Sequence, residues 1–330
     1  MNRRNIFTIA LMLFTVFITF LFVYNKNTIN REEFKNPINV LFITDNNYVM
    51  PVSAAIRSII ANKNKDTQIE ISIIGVDLFE RNITKLEKYN KKNIKINVIN
   101  ISNSYLQNLS GGEDCENKLV SRADNAKLFL NSILKDKDKI IYFDGDIIVL
   151  KDLSDFYNIE LGENYIAAAD DWQTGWEDRE NERYFNNGVM LLNLKEMRKN
   201  NVDKKLFEAK NNDTRKRFVT QDAYNTVMLH KVHFIPLIYD TFAPEFDNNY
   251  IPERIREVLG KNLDLQMYPY NNSDEFRKNV VAIHYCGWGN LKPWKNFDLS
   301  LKSSRIWYKY APLDFWIGLA QGRYRLFNER

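Results

Sequence analysis

Residues 140–149 read Ile-Ile-Tyr-Phe-Asp-Gly-Asp-Ile-Ile-Val, which sets two carboxylates one residue apart between strongly apolar runs. Carboxylates in that setting are costly unless something neutralises them. In an extended chain residues i and i+2 point the same way, so Asp144 and Asp146 can converge on one cation, and Gly145 allows close approach of backbone or ligand. Such oxygen ligands suit Mg²⁺ or Mn²⁺. The alternative is a strand-ending turn, because Asp-Gly is also a common hairpin signal. These ten residues alone leave both interpretations open.

The chain around this stretch alternates between β-rich and helical patterns. Strands are predicted at 38–44, 69–75, 94–99 and 139–143, and helices at 52–61, 83–89 and 124–134. The alternation predicts an α/β domain with a mainly parallel sheet and right-handed crossovers. Such sheets bind ligands at the carboxyl ends of their strands, which here carry residues 44–48 and 144–146. No Gly-x-Gly-x-x-Gly fingerprint follows the first strand, which disfavours a classical dinucleotide enzyme.

Composition excludes several other classes. The 330 residues are 45% hydrophobic and 13% aromatic, enough for the core of one large domain or two small ones. The net charge of +4 is too small to indicate nucleic-acid binding. The two cysteines, Cys115 and Cys286, lie far apart, so neither a disulfide framework nor a Cys-x-x-Cys metal site is indicated.

The first segment predicts a membrane anchor. Residues 6–24 carry no charge, and a helix of that length rises about 28 Å, close to the ~30 Å of the hydrocarbon layer. No small-residue cleavage site follows, which favours an uncleaved anchor over a signal peptide. We therefore expect a single-pass membrane protein, with flank and anchor at 1–25 and a tether at 26–37. Basic residues on both sides leave the orientation open. The catalytic domain is expected in the cytosol of a bacterium or the Golgi lumen of a eukaryote.

Six ordered blocks carry a family resemblance: 42–48, 141–149, 184–194, 220–225, 283–287 and 292–294. Together they resemble glycosyltransferase family 8, the retaining group of the GT-A fold that includes glycogenin and bacterial lipopolysaccharide galactosyl- and glucosyltransferases. Ordered blocks over such a span are far more specific than one tripeptide. The resemblance implies one GT-A catalytic domain at 38–295, with a Rossmann-like, mainly parallel sheet and flanking helices. A helical and aromatic extension is expected at 296–330.

The resemblance also implies roles for individual residues. Nucleotide contact is implied for Thr44, Asp45, Asn47 and Tyr48. Contact with the diphosphate or the donor sugar is implied for Lys127, Asp144, Asn187, Gly188, Gly287 and Lys292. The reaction centre is expected to contain Asp171, Gln221 and Asp222. The implied metal ligands are Asp144, Asp146 and His284, and an imidazole beside two carboxylates favours Mn²⁺ over Mg²⁺.

His284 and Asp222 also have plain structural interpretations. A lone histidine is more often structural than ligating, but His284 ends an apolar strand pattern at 280–283, which would bring it to the edge that carries the aspartates if that strand joins the sheet. Asp222 near a helix start is favoured by the helix dipole whatever its function.

The chain also departs from the family pattern at two positions. Lys127 replaces an arginine, and Thr220 replaces the first aspartate of an Asp-Gln-Asp block.

The implied reaction is retaining transfer of a hexose, with glucose and galactose favoured, from a UDP-sugar to a glycan or lipid-linked glycan. Gln221 is a weak nucleophile, so its expected role is to position the sugar or to steady positive charge at the anomeric carbon. Two alternatives stay open at this point: a sugar-nucleotide-binding protein without transfer activity, and a metal-dependent phosphohydrolase. The paired aspartates argue against the first, and the blocks around Asn187 and His284 have no explanation in the second.

Overall fold

The computed structural model describes residues 34–106, 121–171, 183–212, 220–247, 270, 272–286 and 292–326. The strands are β1 Ile38–Thr44, β2 Ile69–Val76, β3 Ile94–Ile101, β4 Lys139–Phe143, β5 Ile147–Val149, β6 Ile166–Asp170, β7 Phe185–Asn193, β8 Val232–Ile235, β9 Thr241–Phe242, β10 Ala282–His284, β11 Asn296–Phe297 and β12 Arg325–Leu326. The α-helices are α1 Val49–Asn62, α2 Glu80–Glu87, α3 Leu130–Ile133, α4 Ser154–Tyr157, α5 Leu194–Lys199, α6 Val202–Asn212, α7 Gln221–Met228, α8 Ala243–Asp247, α9 Ser273–Asn279, α10 Lys302–Tyr310 and α11 Leu313–Ala320. Short 3-10 helices lie at Asn103–Leu106, Arg122–Phe129, Leu229–Lys231 and Leu237–Tyr239.

Within the described ranges, seven strands form the main sheet in the order β3-β2-β1-β4-β7-β6-β8. Strands β1 to β4 pair in parallel, and β8 is parallel to β6. Strand β7 runs antiparallel to both of its neighbours, β4 and β6. The predicted α/β fold with a mainly parallel sheet is confirmed.

The sheet is covered on both faces, which explains its near-continuous apolar strands. Every residue of β2 is buried. In β1, Val40 and Phe42 belong to the cluster that includes α1, whereas Leu41 and Ile43 belong to the cluster that includes α7. Helices therefore pack on both faces of the sheet. Ligands can reach the sheet at the carboxyl ends of its strands.

The helix predicted at 124–134 has a different form. A 3-10 helix at Arg122–Phe129 leads into the single α-helical turn of α3. Ser121 caps the 3-10 helix by accepting a hydrogen bond from the backbone N–H of Ala123. Side chains three residues apart eclipse in a 3-10 helix, and this spacing places Lys127 directly over Asp124.

The strand that ends at His284 does not join the main sheet. It forms a separate sheet in the order β5-β10-β9, antiparallel to β5 and parallel to β9. His284 is in register with Ile147, the residue directly after Asp146. The histidine therefore still reaches the aspartates, but through a short strand that continues from them.

The predicted membrane location needs correction. None of the helices that the structure describes is both long and apolar enough to cross a bilayer. The stretch interpreted as an anchor, residues 6–24, lies outside the described residues.

Candidate active site

The Asp-Gly-Asp segment lies at the carboxyl end of β4, between two backbone anchors. The N–H of Asp144 donates to the carbonyl of Gly188 at 2.7 Å, and the N–H of Tyr285 donates to the carbonyl of Asp146 at 2.9 Å. One anchor belongs to β7 and the other to the residue that follows β10. The backbone thus holds both aspartates against the end of β7 and against His284.

Three side chains converge at this point. His284 Nε2 lies 3.5 Å from Asp146 Oδ1 and 3.8 Å from Asp144 Oδ2. One ligand atom from each residue lies within 4.8 Å of the others, so a single cation can contact all three. The structure therefore brings together the three predicted metal ligands.

The other oxygen of each aspartate is bound by a lysine. Lys127 Nζ donates to Asp144 Oδ1 at 2.9 Å, and Lys292 Nζ donates to Asp146 Oδ2 at 2.7 Å. Burial raises the pKa of Asp146, but the charges of Lys292 and His284 outweigh burial and hold that pKa well below its usual range. Each aspartate therefore has one oxygen facing His284 and one held by an ammonium group.

Gly188 keeps the space beside these ligands open. A Cβ atom at this position would lie 2.3 Å from His284 Cε1, 2.8 Å from Asp144 Oδ2 and 2.9 Å from Asn186 Oδ1. Such distances are far inside van der Waals contact. The glycine is needed here for close approach and not for an unusual backbone angle.

Next to this cluster lies a group of buried amide and carboxyl side chains. Gln221 Nε2 donates to Asp171 Oδ2 at 2.8 Å, and Gln221 Oε1 accepts from the backbone N–H of Asn187 at 3.1 Å. Asn186 Nδ2 also donates to Asp171 Oδ2, at 3.3 Å. Among the described residues, the buried Asp171 Oδ1 has no hydrogen-bond partner. The predicted residues Gln221 and Asp171 are thus brought together.

Asp222 points to a different neighbour. It is fully buried, and its Oδ1 accepts a hydrogen bond from the Tyr184 hydroxyl at 2.9 Å. The contacts of its carboxylate in this structure are therefore with the protein interior, one residue beyond Gln221 on α7.

The residues predicted to contact the nucleotide lie at the end of β1. Asp45 Oδ1 accepts from the N–H groups of Asn47 and Tyr48 at 2.8 and 3.1 Å, and Thr44 is buried with its hydroxyl on the Asp45 carbonyl at 3.0 Å. Tyr48 lies close to the proposed metal ligands. Lys292 Nζ, which is bound to Asp146, also donates to the Tyr48 hydroxyl at 2.7 Å. Burial raises the pKa of Tyr48 to about 12. Gly287 lies outside the described residues.

Comparison with known proteins identifies the family. The model for "Glycosyl transferase family 8" matches residues 39–298. The chain belongs to this family. It is therefore a glycosyltransferase.

Relatives of this family 8 glycosyltransferase come from several bacteria. General stress protein A of Bacillus subtilis is 22% identical over 275 residues, which cover 78% of this chain and 88% of the relative. Lipopolysaccharide 1,2-glucosyltransferase of Escherichia coli is 25% identical over 306 residues, which cover 88% and 80%. The solved structure of galactosyltransferase LgtC in complex with donor and acceptor sugar analogs superposes with a TM-score of 0.67 at 22% identity, covering 85% of this chain and 99% of LgtC. That superposition supports the fold.

Lys127 of this glycosyltransferase is buried between two carboxylates. Its side chain is 2% exposed, and its ammonium lies 2.8 Å from Asp124 and 2.9 Å from Asp144. Asp124 also accepts a hydrogen bond from the Thr220 hydroxyl at 2.6 Å, and that hydroxyl accepts one from Asn187 Nδ2 at 2.9 Å. The predicted contact of Lys127 with the diphosphate stays a prediction, because its observed partners are two carboxylates.

Sequence reasoning missed four residues that contact the predicted site residues: Asp124, Tyr142, Asn186 as a partner of Asp171, and Asp240. Tyr142 is buried, and its hydroxyl donates to Asp144 Oδ1 at 2.5 Å. Its position in β4, two residues before Asp144, was the one available signal, since residues i and i+2 of an extended chain share a face. Asp124 is three residues before Lys127, a spacing that joins neighbours within a helix. The contacts of Asn186 with Asp171 and of Asp240 with His284 join separate segments and leave no local pattern.

Proposed function

We propose that this glycosyltransferase transfers a hexose, glucose or galactose, from a UDP-sugar to a glycan or lipid-linked glycan, with retention at the anomeric carbon and with Mn²⁺ as the metal. The observation that carries the proposal is the convergence of Asp144 Oδ2, Asp146 Oδ1 and His284 Nε2. The donor set fits the ion, because two carboxylates and an imidazole favour Mn²⁺ over Mg²⁺. When bound there, the metal would act as a Lewis acid that neutralises charge on the leaving diphosphate.

Lys292 is the proposed partner of that leaving group. Its ammonium is already within 2.7 Å of Asp146, beside the metal ligands. Burial lowers the pKa of Lys292, but the nearby Asp146 carboxylate outweighs burial and raises it, so the side chain stays charged. A fixed positive charge at this position stabilises negative charge that grows on a phosphate oxygen.

Gln221 and Asp171 are the proposed contacts of the donor sugar. They are hydrogen-bonded to each other, and Asp171 Oδ1 is a buried acceptor without a partner among the described residues. A buried, unpaired carboxylate oxygen is costly, and a sugar hydroxyl would satisfy it. Gln221 is a weak nucleophile, so we assign it to positioning of the sugar.

The acceptor class rests on the relatives. One of them is named a lipopolysaccharide glucosyltransferase, and LgtC is a galactosyltransferase whose structure contains donor and acceptor sugar analogs. These names support a glucosyl or galactosyl donor and a glycan or glycolipid acceptor for this chain.

The test is a panel of sugar nucleotides with Mn²⁺, followed over time for nucleotide release with and without oligosaccharide acceptors. We expect UDP release from UDP-glucose or UDP-galactose that accelerates with acceptor, and a product heavier by one hexose in the mass spectrum. Tight donor binding without turnover would support a binding protein instead. Release of inorganic phosphate without a glycosylated product would support a phosphohydrolase.

A further inference from the structure

Asp240 lies directly behind the proposed metal ligand His284. Its side chain is fully buried, and its Oδ1 lies 2.9 Å from His284 Nδ1. The other ring nitrogen, Nε2, is the one that faces Asp144 and Asp146. We propose that Asp240 is a positioning residue that fixes the orientation and the tautomer of His284, so that Nε2 is presented to the cation. This inference rests on the metal site of the proposed function.

The chemistry of imidazole makes the direction of this bond matter. A neutral imidazole carries one N–H and one lone pair, and a hydrogen bond at one nitrogen decides which atom carries which. An ionised carboxylate only accepts hydrogen bonds, so Nδ1 must donate to Asp240. When a cation displaces the proton from Nε2, the lone pair is left on that nitrogen, which points at the two aspartates. Histidines that bind metals are commonly held in this way.

The segment that carries Asp240 is well anchored. The backbone N–H of Asp240 donates to the carbonyl of Leu237 at 3.0 Å, and the N–H of Val281 donates to the carbonyl of Ile238 at 2.7 Å. The next residues form β9, which pairs in parallel with β10 and places Phe242 in register with His284. Asp240 thus directly precedes β9 and His284 ends β10, so the pairing of these two strands sets the separation of carboxylate and imidazole.

The imidazole is restrained at other points as well. The ring of Phe242 packs edge-on against it, with centroids 5.6 Å apart and planes at 70°. On another side, His284 Cε1 packs against Gly188, where a Cβ atom would lie only 2.3 Å from it. The hydrogen bond to Asp240 decides between the two nitrogens, which packing against carbon atoms cannot do.

A purely structural ion pair is the competing explanation. Asp240 Oδ2 has no hydrogen-bond partner among the described residues, so the bond to His284 is the contact that its carboxylate makes there. A structural pair predicts that loss of the charge lowers stability and leaves metal affinity unchanged. A positioning role predicts a loss of metal affinity, and the two can be measured separately.

The experiment titrates the donor-free full chain with Mn²⁺, read by electron paramagnetic resonance, for wild type and Asp240→Asn. The asparagine keeps the volume but removes the charge and can donate to Nδ1, which would move the ring proton to Nε2. We expect the Kd for Mn²⁺ to rise by roughly 10 to 100-fold. The matched control is Glu245→Gln, a buried carboxyl on the same segment that accepts from the Phe242 N–H and not from His284. Its Kd should stay at the wild-type value.

Wild-type Mn²⁺ affinity in Asp240→Asn would overturn the inference, whatever its melting temperature. If Asp240→Asn fails to fold, the inference is tested on the wild type. The measurement is a ¹⁵N spectrum of the histidine-labelled protein, with the His284 signals assigned from their loss in His284→Gln. We expect Nδ1 to keep its proton and Nε2 to lose its proton when Mg²⁺ binds, and a Mg²⁺-bound protein with the proton on Nε2 and none on Nδ1 would overturn the inference. UDP release by the wild type is measured in parallel. Metal binding without UDP release would refute the proposed function while leaving the role of Asp240 intact.

Discussion

Replacement of Gly188 by alanine is a sharp test of the site geometry. The added Cβ would lie 2.3 Å from His284 Cε1, whereas carbon atoms in contact are separated by about 3.5–4.0 Å. The ring or the strand must therefore move by more than about 1 Å. His284 cannot turn away freely, since Asp240 holds its Nδ1 at 2.9 Å. Overpacking of this kind costs about 1–3 kcal/mol in stability. A misplacement of about 1 Å at a reacting centre lowers turnover by on the order of 10²-fold.

The assay for Gly188→Ala combines Mn²⁺ titration, kcat/KM for the donor and urea denaturation. The matched control is Gly75→Ala, where an added Cβ would lie 2.3 Å from Leu78 Cδ1 but touches none of the proposed metal ligands. We expect both variants to lose stability and only Gly188→Ala to lose metal affinity. Wild-type metal affinity and kcat/KM in Gly188→Ala would refute the geometry described for His284 and Asp144.

The buried charges around the site give two more measurable outcomes. We expect Lys127→Met to lower the free energy of unfolding by roughly 3 kcal/mol, the low end for a broken buried ion pair. The low end applies because the Asp124 and Asp144 carboxylates, which lose their partner, are about a quarter exposed to solvent. Urea denaturation of the wild type, Lys127→Met and Lys127→Arg measures this loss, since the arginine keeps the charge. An unchanged urea midpoint in Lys127→Met would contradict the prediction. Burial opposes the charged form of His284, but Asp240 and Asp146 outweigh burial and raise its pKa to about 10. The resulting stability is fully present below about pH 6.5 and is lost as the pH rises toward 10, by up to about 1.4 kcal/mol per pH unit, because the unfolded chain releases this proton first. Denaturation of the metal-free protein between pH 6.5 and about 8.5 tests this, and an equal slope in His284→Gln would contradict it.

The parts of the fold that the sequence predicts well are those with strong local patterns. Strand β2 has eight consecutive buried residues, and β4 is an apolar run that ends at the Asp-Gly-Asp segment, so hydrophobic pattern alone indicates both. The carboxyl ends of parallel strands then meet at one edge. The sequence alone therefore assigns Asp45 and Asp144 to the same region.

The environment of the metal ligands could not be predicted in the same way. His284 ends a three-residue strand whose partner, β5, is equally short, and such pairings are fixed by tertiary contacts rather than by pattern. Asp240 follows a 3-10 turn and has no periodic signal. Lys127 lies in a 3-10 helix where an α-helix was expected, and its ammonium lies beside Asp124 of the same helix. The pairing of His284 with Ile147, its bond to Asp240 and the ion pair of Lys127 with Asp144 join segments that only the folded chain brings together.

The most direct test of the proposed mechanism is the dependence of UDP release on Mn²⁺ for the wild type, Asp144→Ala, Asp146→Ala and His284→Ala, with UDP-glucose and UDP-galactose as donors. We expect release by the wild type to rise to saturation with Mn²⁺ and to stop in EDTA. The two aspartate variants should remain folded and inactive, and His284→Ala should need higher Mn²⁺ for partial activity. Full activity of the wild type in EDTA would contradict metal-dependent transfer at Asp144, Asp146 and His284.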